Sequence, residues 1–314
     1  MNSSFEIIIF YKYTAVTDPV GFVNWQKATC MELNLLGRIL IAKEGINGSV
    51  EGTIDSIAEY KRRMLAQDGS EGTFGDFSDL WFKASPGTGD AFVKLKVKAR
   101  NVILATGLKN ENDIDPNRTT GTHIEPEELK SWIESGEEFE IVDMRNDYEY
   151  AVGHFSGSHA SHMKNFRDLV SVTPQITIPK EKKILTVCTY GVRCEKASGY
   201  LKQQGFENVY QLNGGIGTYM KKYPGQDFLG SLYVFDARMT EQFTNDYEVI
   251  GTCVACHGKS ERFGNCAWDI CHKQMIICDT CAPKAHSIYC STMCRFLNIP
   301  RRFLAQIRMK MQKA

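Results

Sequence analysis

The chain has 314 residues, equal numbers of acidic and basic side chains (37 each) and eleven cysteines. This length is enough for two or three domains, each with its own core. A formal net charge of zero excludes nucleic-acid binding through overall charge, so any such affinity must come from local basic patches. We find no secretory leader and no apolar run long enough to span a bilayer, which predicts a cytoplasmic protein rather than a secreted or membrane protein.

The first hundred residues alternate between strand-like and helix-like patterns. The predicted elements are, in chain order, a strand at 5–13, a helix at 19–35, strands at 38–42 and 48–51, a helix at 53–66, and strands at 80–84 and 92–97. Asp18 and Thr53 are the predicted N-caps of the two helices. This order of elements favours a ferredoxin-like α+β sandwich.

Two short segments of this domain can contact a substrate. Residues 43–48 (KEGING) form a predicted turn, for which a Gly/Asn hairpin is a sufficient explanation, and a substrate-facing role for Glu44 and Asn47 is the alternative. Further on, cations alternate along a strand end and share one face of it, with Arg100 at the margin: Lys94, Lys96, Lys98 and Arg100. This basic stripe can follow the phosphates of a nucleic acid or be a solvated outer face.

A polar segment rich in Asn, Asp, Pro and Gly then predicts a linker over residues 108–122. Beyond it, helices and strands alternate: a helix at 124–134, a strand at 139–142, a strand that ends at Cys188, a helix from Glu195 and a strand at 209–212. Strands separated by helices predict a parallel sheet, and such sheets bind ligands at the carboxyl ends of their strands. Cys188 lies at one of these ends.

Cys188 is followed by a six-residue loop, residues 189–194, before the helix predicted from Glu195. Backbone N–H groups of such a loop and of a helix start can converge on an anion. A thiolate at Cys188 is such an anion, and the charge of Arg193 is expected to lower the pKa of its thiol. A buried structural cysteine is the alternative. The loop length, Gly191 and Arg193 favour the reactive thiol.

Residues 123–222 contain four motifs: Asp143-x-Arg145 after an early strand, Gly153-His154-Phe155 with Gly157, the loop of Cys188, and Asn213-Gly214-Gly215. In these motifs the segment resembles a rhodanese domain. Further motifs are spread over most of the chain: Gly37-Arg38, Ala42-x-Glu44-Gly45-Ile46-Asn47, Lys96-Val97-Lys98, residues 143–150 and 188–198, Val234-Phe235-Asp236-x-Arg238-Met239, and the cysteines after it. Together they resemble, more specifically, those of the bacterial oxygen-dependent tRNA uridine hydroxylases.

The resemblance implies hydroxylation of the wobble uridine of certain tRNAs at ring carbon five, with molecular oxygen as co-substrate and the anticodon arm as the part bound. Cys188 matches the family's rhodanese-loop cysteine, the position that carries a persulfide in sulfurtransferases. Asp143, Arg145, Arg193 and Cys194 are the other candidates for the catalytic site. Cys194 can either form a disulfide with Cys188, which requires the loop to bend, or cap the helix.

The sequence departs from the family's pattern in two places. Tyr190 stands where the family usually has a second glycine, and its bulk is expected to narrow the pocket around Cys188 or to shift the loop dihedral angles. Residues 156–163, which follow the Gly-His-Phe motif, also differ from the usual family sequence.

Eight of the eleven cysteines lie between Cys253 and Cys294, which is typical of metal sites in a reducing compartment. They form four pairs: Cys253/Cys256, Cys266/Cys271, Cys278/Cys281 and Cys290/Cys294. This number and spacing predict two structural zinc sites with four sulfur ligands each, and disulfides or a redox metal are the alternatives. Either sequential or interleaved pairing is compatible with the spacing. A nearby histidine can replace a sulfur ligand, the candidates being His257, His272 and His286.

The last residues form a basic amphipathic pattern. Six cations and no acid occur among Arg295 and residues 301–313, while apolar residues recur at helical spacing. The cations can contact tRNA phosphates, or the apolar face can dock on the protein and leave them solvated. The overall prediction is a multidomain α/β protein with the segments 1–107 (ferredoxin-like), 108–122 (linker), 123–225 (rhodanese), 226–296 (zinc-binding) and 297–314 (basic helix).

Three functions are compatible with these features. The first is the tRNA hydroxylase, for which no two-His-one-carboxylate triad, flavin motif or haem motif is evident in the sequence. The second is a sulfurtransferase that passes persulfide sulfur from a small donor to an acceptor, for which the loop of Cys188 suffices. The third is a non-catalytic tRNA-binding scaffold with a vestigial rhodanese site.

Overall fold

The computed structural model describes residues 4–298, except for the side chain of Asn112. The predicted basic helix over 297–314 therefore lies, beyond Asn298, outside the described residues. In the part of the chain that is described, no helix has the length and apolar character needed to cross a membrane. These residues form two compact units. The first comprises the chain up to Asn146 with Gly157–Pro224 and Val234–Arg238, and the second comprises Asp147–Ser156, Gly225–Tyr233 and the residues from Met239 onwards.

The first unit begins with a five-stranded sheet and two helices. Their bounds are β1 (Phe5–Tyr13), α1 (Pro19–Glu32), β2 (Leu36–Ala42), β3 (Gly45–Thr53), α2 (Ile54–Leu65), β4 (Phe82–Gly87) and β5 (Leu95–Ala99). The strand order is β4-β1-β3-β2-β5, with β4, β1, β3 and β2 antiparallel and β5 parallel to β2. The first four strands and the two helices confirm the predicted ferredoxin-like sandwich, and β5 extends it at one edge.

Alternation along the strands gives this sheet two different faces. Buried residues such as Ile8, Phe10 and Ile39 pack against Phe22 of α1 and Tyr60 of α2 in the domain core. Both predicted caps are present, because the Asp18 side chain accepts hydrogen bonds from the N–H groups of the first turn of α1 and Thr53 does so for α2. The residues between the core positions point to the opposite face, which is free to line a site.

Two local predictions in this domain were wrong. The turn predicted over 43–48 contains only Lys43 and Glu44, because Gly45–Gly48 pair with β1 and belong to β3. The last strand begins at Leu95 rather than at Phe92. In the loop before β5, the N–H groups of Thr88, Gly89 and Ala91 donate hydrogen bonds of 2.8–2.9 Å to the buried carboxylate of Glu51 on β3, so these backbone groups bind a side chain instead of a neighbouring strand.

The same unit continues with a parallel sheet, as predicted. Its strands are β6 (Thr122–Ile124), β7 (Glu140–Asp143), β9 (His159–Ala160), β10 (Lys183–Val187) and β11 (Asn208–Leu212), and its helices are α3 (Pro126–Ser135), α5 (Leu169–Val172), α6 (Val192–Gln203) and α7 (Gly215–Lys222). The strand order is β6-β11-β10-β7-β9, and all four pairings are parallel. The helix predicted from Ile124 begins two residues later, because Thr122–Ile124 pair with β11.

The segment between the two sheets packs closely on α6. Ile114 is buried in the core of the parallel-sheet domain, and the side chains of Lys202 and Gln203 donate hydrogen bonds of 2.8 Å to the carbonyl oxygens of Thr120 and Asp113. Side chains of α6 therefore bind backbone groups of residues 108–122 and fix this polar segment on the helix.

The second unit consists of short elements. They are α4 (Asp147–Val152), β8 (Gly153–Phe155), β12 (Phe228–Gly230), β13 (Leu232–Tyr233), β14 (Thr240–Glu241), β15 (Phe263–Asn265) and β16 (Gln274–Ile276), and the antiparallel pairs are β8 with β12, β13 with β14 and β15 with β16. The apolar clusters among its described residues are small, and one of them combines Met275 and Ile277 with several cysteine side chains. Clusters of this size contribute little stability, so a further source of stability is expected.

A buried ion pair joins the amino-terminal sheet to α6. Lys196 is completely buried, and its Nζ lies 2.9 Å from Oε2 of Glu44, in the turn between β2 and β3. The same ammonium group donates a 3.0 Å hydrogen bond to the carbonyl oxygen of Leu104, and Oε1 of Glu44 accepts a 2.7 Å hydrogen bond from the N–H of Ile103. Glu44 is therefore bound on both carboxylate oxygens.

Replacing Glu44 by alanine is expected to destabilise the protein by about 3 kcal/mol, because it leaves the ammonium group of Lys196 buried without its counter-charge. The measurement is the free energy of unfolding in urea, followed by tryptophan fluorescence. The control is Glu134→Ala, which removes an exposed partner of Lys130 on α3 and should have a much smaller effect. Equal losses for the two variants would contradict this account of the pair.

Candidate functional site

The strand β10 delivers Cys188 to the carboxyl end of the parallel sheet, between β7 and β11. The residue is completely buried. The following loop is shorter than the six residues predicted, because α6 begins at Val192 and not at Glu195. Gly191, with φ of 99°, turns the chain directly into the helix, and its carbonyl oxygen accepts the N–H groups of Cys194 at 2.8 Å and Glu195 at 3.3 Å.

The environment of Cys188 favours the thiolate. Burial alone raises the pKa of its thiol, but the hydrogen bond from Cys194, the positive charge of Arg193 and the backbone N–H groups of these two residues outweigh burial and lower the pKa to about 6. The N–H of Gly191 adds a hydrogen bond of 3.2 Å to Sγ of Cys188. Burial and the neighbouring Cys188 raise the pKa of the Cys194 thiol. Cys188 is therefore the anion and Cys194 its thiol donor.

Arg193 is itself buried and held in place. Its Nη2 donates a 3.0 Å hydrogen bond to Oγ1 of Thr189, and its guanidinium lies over the ring of Phe235 at 5.5 Å from the centroid. Arg193 was predicted at the site from its place in the loop, whereas Phe235, which follows β13 by two residues, was quoted only within the motif at 234–239 and was given no role at the site.

Tyr190 does not close off Cys188. It lines the cavity described below, while its ring packs against Gly217 of α7, where a Cβ atom would come within 2.2 Å of the ring. Its hydroxyl is hydrogen-bonded to the buried ammonium group of Lys83 on β4, which also lies 4.0 Å from the ring centroid. The expected narrowing of the pocket is limited because Gly217 and Lys83 accommodate the side chain.

Tyr11 of β1 lies directly beside the loop. A Cβ atom on Gly191 would lie 2.5 Å from the Tyr11 hydroxyl oxygen, so glycine is required here by contact as well as by φ. Burial, together with the charges of Glu195 and Cys188, raises the pKa of Tyr11 well above its ordinary value. The phenol therefore remains neutral beside the thiolate.

Asp143 and Arg145 form a completely buried pair at the end of β7. Nη2 and Nε of Arg145 lie 2.6 Å and 2.9 Å from the two carboxylate oxygens, and the Arg145 N–H donates to Oδ1 at 3.0 Å. Among the described residues, the pair does not line the cavity that contains Cys188, whereas the adjacent Asn146 does. The hydrogen bonds of this pair stabilise the loop that carries Asn146.

The loop of Asn146 is also held by the segment that departs from the family's pattern. Oγ of Ser161 donates a 3.1 Å hydrogen bond to the carbonyl oxygen of Arg145, and Met163, completely buried, forms a bridge with Asn146. Residues 159–163 therefore form β9, the edge strand of the parallel sheet, and the segment that follows it.

The Asp-x-Arg arrangement occurs a second time at Asp236 and Arg238. Here too the N–H and the Nε of the arginine donate to Oδ1, at 3.0 Å and 2.9 Å, and Nη2 donates to Oδ2 at 2.7 Å. Nη2 of Arg238 also lies 3.3 Å from Oγ of Ser85 on β4. This second motif fixes Asp236 and Phe235 in the wall of the cavity.

The cavity around Cys188 has a volume of about 340 Å³. One wall is the loop of Cys188, and the opposite wall is the outward face of the amino-terminal sheet, contributed by alternate residues of three strands: Ile9 and Tyr11, Arg38 and Leu40, Asn47 and Ser49. Phe92, Phe235 and Asp236 complete it. Asn47 is thus at the site, while Glu44 forms the ion pair with Lys196. The alternation of β2 was the available signal for Arg38, which sequence reasoning did not assign to the site.

The basic stripe is exposed beside this cavity. In the ladder between β2 and β5, Lys96 pairs with Arg38 and Lys98 pairs with Leu40, so the two lysines share the face on which these cavity residues lie. Val97 points to the core, as the alternating pattern predicts. Lys94 and Arg100 are also exposed, just outside the strand.

In the second unit, the eight clustered cysteines form two groups. The sulfur atoms within each group lie within 4.8 Å of one another: Cys253, Cys256, Cys278 and Cys281 in one, and Cys266, Cys271, Cys290 and Cys294 in the other. The pairing is therefore interleaved, since the first pair joins the third and the second joins the fourth. Burial raises the pKa of Cys253, but backbone N–H groups, that of Cys278 foremost, lower it to about 6. Sulfur-only groups with backbone donors to the thiolates are suited to a metal ion.

Comparison with known families defines the class of protein. Residues 5–103 match the UPF0176 acylphosphatase like domain, residues 125–222 the rhodanese-like domain, and residues 229–295 the domain described as rhodanase C-terminal. The chain is a rhodanese-domain protein with an acylphosphatase-like domain before it and a cysteine-rich segment after it.

Several relatives match nearly the whole chain. Proteins named tRNA uridine(34) hydroxylase from Cytophaga hutchinsonii, Corynebacterium jeikeium and Enterococcus faecalis are 37%, 38% and 40% identical over 292, 291 and 280 residues. These alignments cover 93%, 91% and 87% of this chain and 90%, 92% and 84% of the relatives. The chain belongs to the tRNA uridine(34) hydroxylase family. Among solved structures, the Alr3790 protein from Anabaena sp. matches at 30% identity and a TM-score of 0.30, over 34% of this chain and 91% of that one.

Alkylation of Cys188 by iodoacetamide is expected to increase with pH and to reach half its maximal rate near pH 6, because the thiolate is the reacting form. Peptide mass spectrometry measures the rate for each cysteine separately. Arg193→Met should move the midpoint upward by roughly one unit, since it removes the nearby positive charge. Cys30 is the internal control, because burial raises its pKa to about 12. A midpoint near 9 for Cys188 in the unaltered protein would contradict the assignment.

Proposed function

We propose that this protein hydroxylates carbon five of the wobble uridine of tRNA, with molecular oxygen as co-substrate, at the cavity that contains Cys188. The observation that carries the proposal is the pairing of a thiolate-stabilising rhodanese loop with a second wall from the amino-terminal domain. A sulfurtransferase loop alone needs no such second wall. Relatives that share both domains are named tRNA uridine(34) hydroxylase.

The residues of the site have different roles in this proposal. Cys188 is the reactive anion, Cys194 donates a hydrogen bond to it, and Arg193 supplies the stabilising charge. Asp143 and Arg145 hold the loop of Asn146 and act as positioning residues. A thiolate in such a cavity is a strong nucleophile, suited to adding to an electron-poor ring carbon. A cavity of about 340 Å³ falls in the range of small-ligand sites and is large enough for a uracil base.

The basic stripe is suited to the anticodon arm. Lys96 and Lys98 lie beside Arg38 at the edge of the cavity, and Lys94 and Arg100 extend the positive charge along the sheet edge. A base that enters the cavity from a single-stranded loop leaves its phosphates outside, where these cations can bind them. Asn47, in the cavity wall, is suited to hydrogen-bond the uracil edge. Glu44 contributes indirectly, by holding α6 through Lys196.

We further propose that the two cysteine groups hold structural zinc ions and that the protein acts in the cytoplasm, where its tRNA substrate is found. Four sulfur ligands leave no open coordination position, so each ion would stabilise the fold rather than take part in catalysis. The domain boundaries inferred from the sequence, at about residues 107, 122, 225 and 296, remain part of the proposal.

Cells that lack the gene are expected to lose 5-hydroxyuridine from their tRNA and to regain it with the unaltered gene but not with Cys188→Ser, because serine is not ionised at neutral pH. The measurement is mass spectrometry of tRNA nucleosides. Cys30→Ser is the matched control and should restore the modification, since Cys30 lies in the core away from the cavity. The proposed function would be disproved if 5-hydroxyuridine persisted in a strain that lacks this gene and has no second pathway to the modification.

A sulfurtransferase is the second candidate function, because the loop of Cys188 would also stabilise a persulfide, which is an anion. Purified protein incubated with thiosulfate and cyanide distinguishes the two. Turnover to thiocyanate that depends on Cys188, with no change in tRNA nucleosides on gene deletion, would favour the second candidate.

Elemental analysis of protein purified without added metal should find about two zinc ions per chain. The interleaved arrangement predicts that Cys256→Ser with Cys281→Ser removes one ion, because both residues belong to one group, whereas Cys256→Ser with Cys271→Ser weakens both sites. An unaltered chain without metal and with its eight thiols oxidised in pairs would reject the zinc sites.

A further inference from the structure

A second cavity in the first unit adjoins the one that contains Cys188. Its volume is about 460 Å³, and Tyr11 lines both cavities. It lies between the start of β4 and the segment that precedes the parallel sheet, so both domains of the first unit contribute to it. A ligand chain that places one group beside Cys188 can place the next group on the other side of Tyr11.

The second cavity contains an exposed aromatic surface. Trp81 is 49% exposed and lines the cavity together with Tyr11 and Tyr13. The neighbouring Leu80 is buried in the core of the amino-terminal domain and anchors the chain there, while the ring of Trp81 remains accessible. Exposed aromatic rings of this kind are the surfaces on which unpaired nucleobases stack.

The polar groups of this cavity are suited to a base rather than to a phosphate. Five carboxylate, ammonium or imidazole side chains line it, namely Asp79, Glu125, Glu195, Lys12 and His123, and the acids outnumber the bases. Nε2 of His123 lies 2.9 Å from Oε1 of Glu195, and Lys12 is ion-paired with Asp79, so both cations are already neutralised. Burial raises the pKa of Glu195, but the hydrogen bond and charge of His123 and the hydroxyl of Thr120 lower it below its ordinary value. A phosphate would meet net negative charge here.

Two amide side chains add hydrogen-bonding capacity. Asn213 donates to Glu125 at 2.7 Å and Asn117 donates to Asp115 at 3.0 Å, which orients both amides at the cavity. Each amide has two N–H donors and a carbonyl oxygen, so each keeps the ability to pair with the edge of a base.

We propose that the second cavity binds the unpaired base of the nucleotide next to the target uridine, stacked on Trp81. This inference rests on the proposed function and adds a subsite to it. Tyr11 separates the two bases, and the basic stripe on β5, at the opposite edge of the sheet from β4, is left to phosphates on the other side of the target uridine.

The test is a double-mutant cycle on binding. A stem-loop RNA with the target uridine in its loop is prepared intact and with an abasic site on the 5′ or the 3′ side of the uridine, and its affinity for the full-length protein is measured by fluorescence anisotropy. For the unaltered protein, one of the two abasic sites is expected to weaken binding about ten-fold. For Trp81→Ala the intact RNA should bind about ten-fold more weakly, and the same abasic site should have no further effect. Trp81→Phe, which keeps an aromatic ring, should restore most of the affinity.

The control variant is Met31→Ala, which alters an exposed apolar residue of α1 outside both cavities and should bind all three RNAs as the unaltered protein does. Additive losses from Trp81→Ala and each abasic site would overturn the subsite, as would an unchanged affinity in Trp81→Ala. If 5-hydroxyuridine is still formed in that case, only the subsite fails. If the protein neither binds nor hydroxylates the RNA, the proposed function fails together with it.

Discussion

The site depends on the burial of a negative charge. An isolated thiolate removed from water is strongly disfavoured, and burial by itself would keep Cys188 protonated. The short loop offsets this cost with N–H groups that converge on the sulfur, with the thiol of Cys194 and with the charge of Arg193. Arg193 in turn is buried and is held by Thr189 and the ring of Phe235. Each of these groups has its position because α6 begins immediately after Gly191, and lengthening the loop would separate them.

The amino-terminal domain supplies the second wall of the cavity, which a rhodanese loop alone does not provide. Its sheet uses one face for its own core and the other for the cavity, so a single alternating pattern serves stability and function. The contact is fixed by buried polar pairs: Lys196 with Glu44, and Lys83 with the hydroxyl of Tyr190. These pairs are costly to break, because each would leave a charged or polar group without a partner in a dry environment. The two walls of the cavity are therefore held together by contacts that are costly to lose.

The stability of the second unit has a different source. The apolar clusters among its described residues are small, and its eight clustered cysteines lie in two interleaved groups. Interleaving ties segments that are about twenty residues apart in the chain to one another, so metal binding at either site would restrict both. Bound metal would then stabilise this unit, as the apolar cores stabilise the first unit.

Much of this protein follows from its sequence alone. Local signals, namely periodicity, capping residues and the spacing of Cys188, Arg193 and the clustered cysteines, predict the two α/β folds, the candidate reactive cysteine and the candidate sulfur ligands, because each depends on residues close together in the chain. What lies opposite Cys188 is decided only by tertiary structure. Arg38, Phe92 and Phe235 line the cavity although they belong to distant segments of the chain. Glu44 binds Lys196, and the hydroxyl of Tyr190 binds Lys83. These contacts do not follow from the sequence, because packing between domains has no periodicity in it. The pairing of the cysteine groups is decided in the same way, since equal spacings allow either arrangement and only the path of the chain selects one.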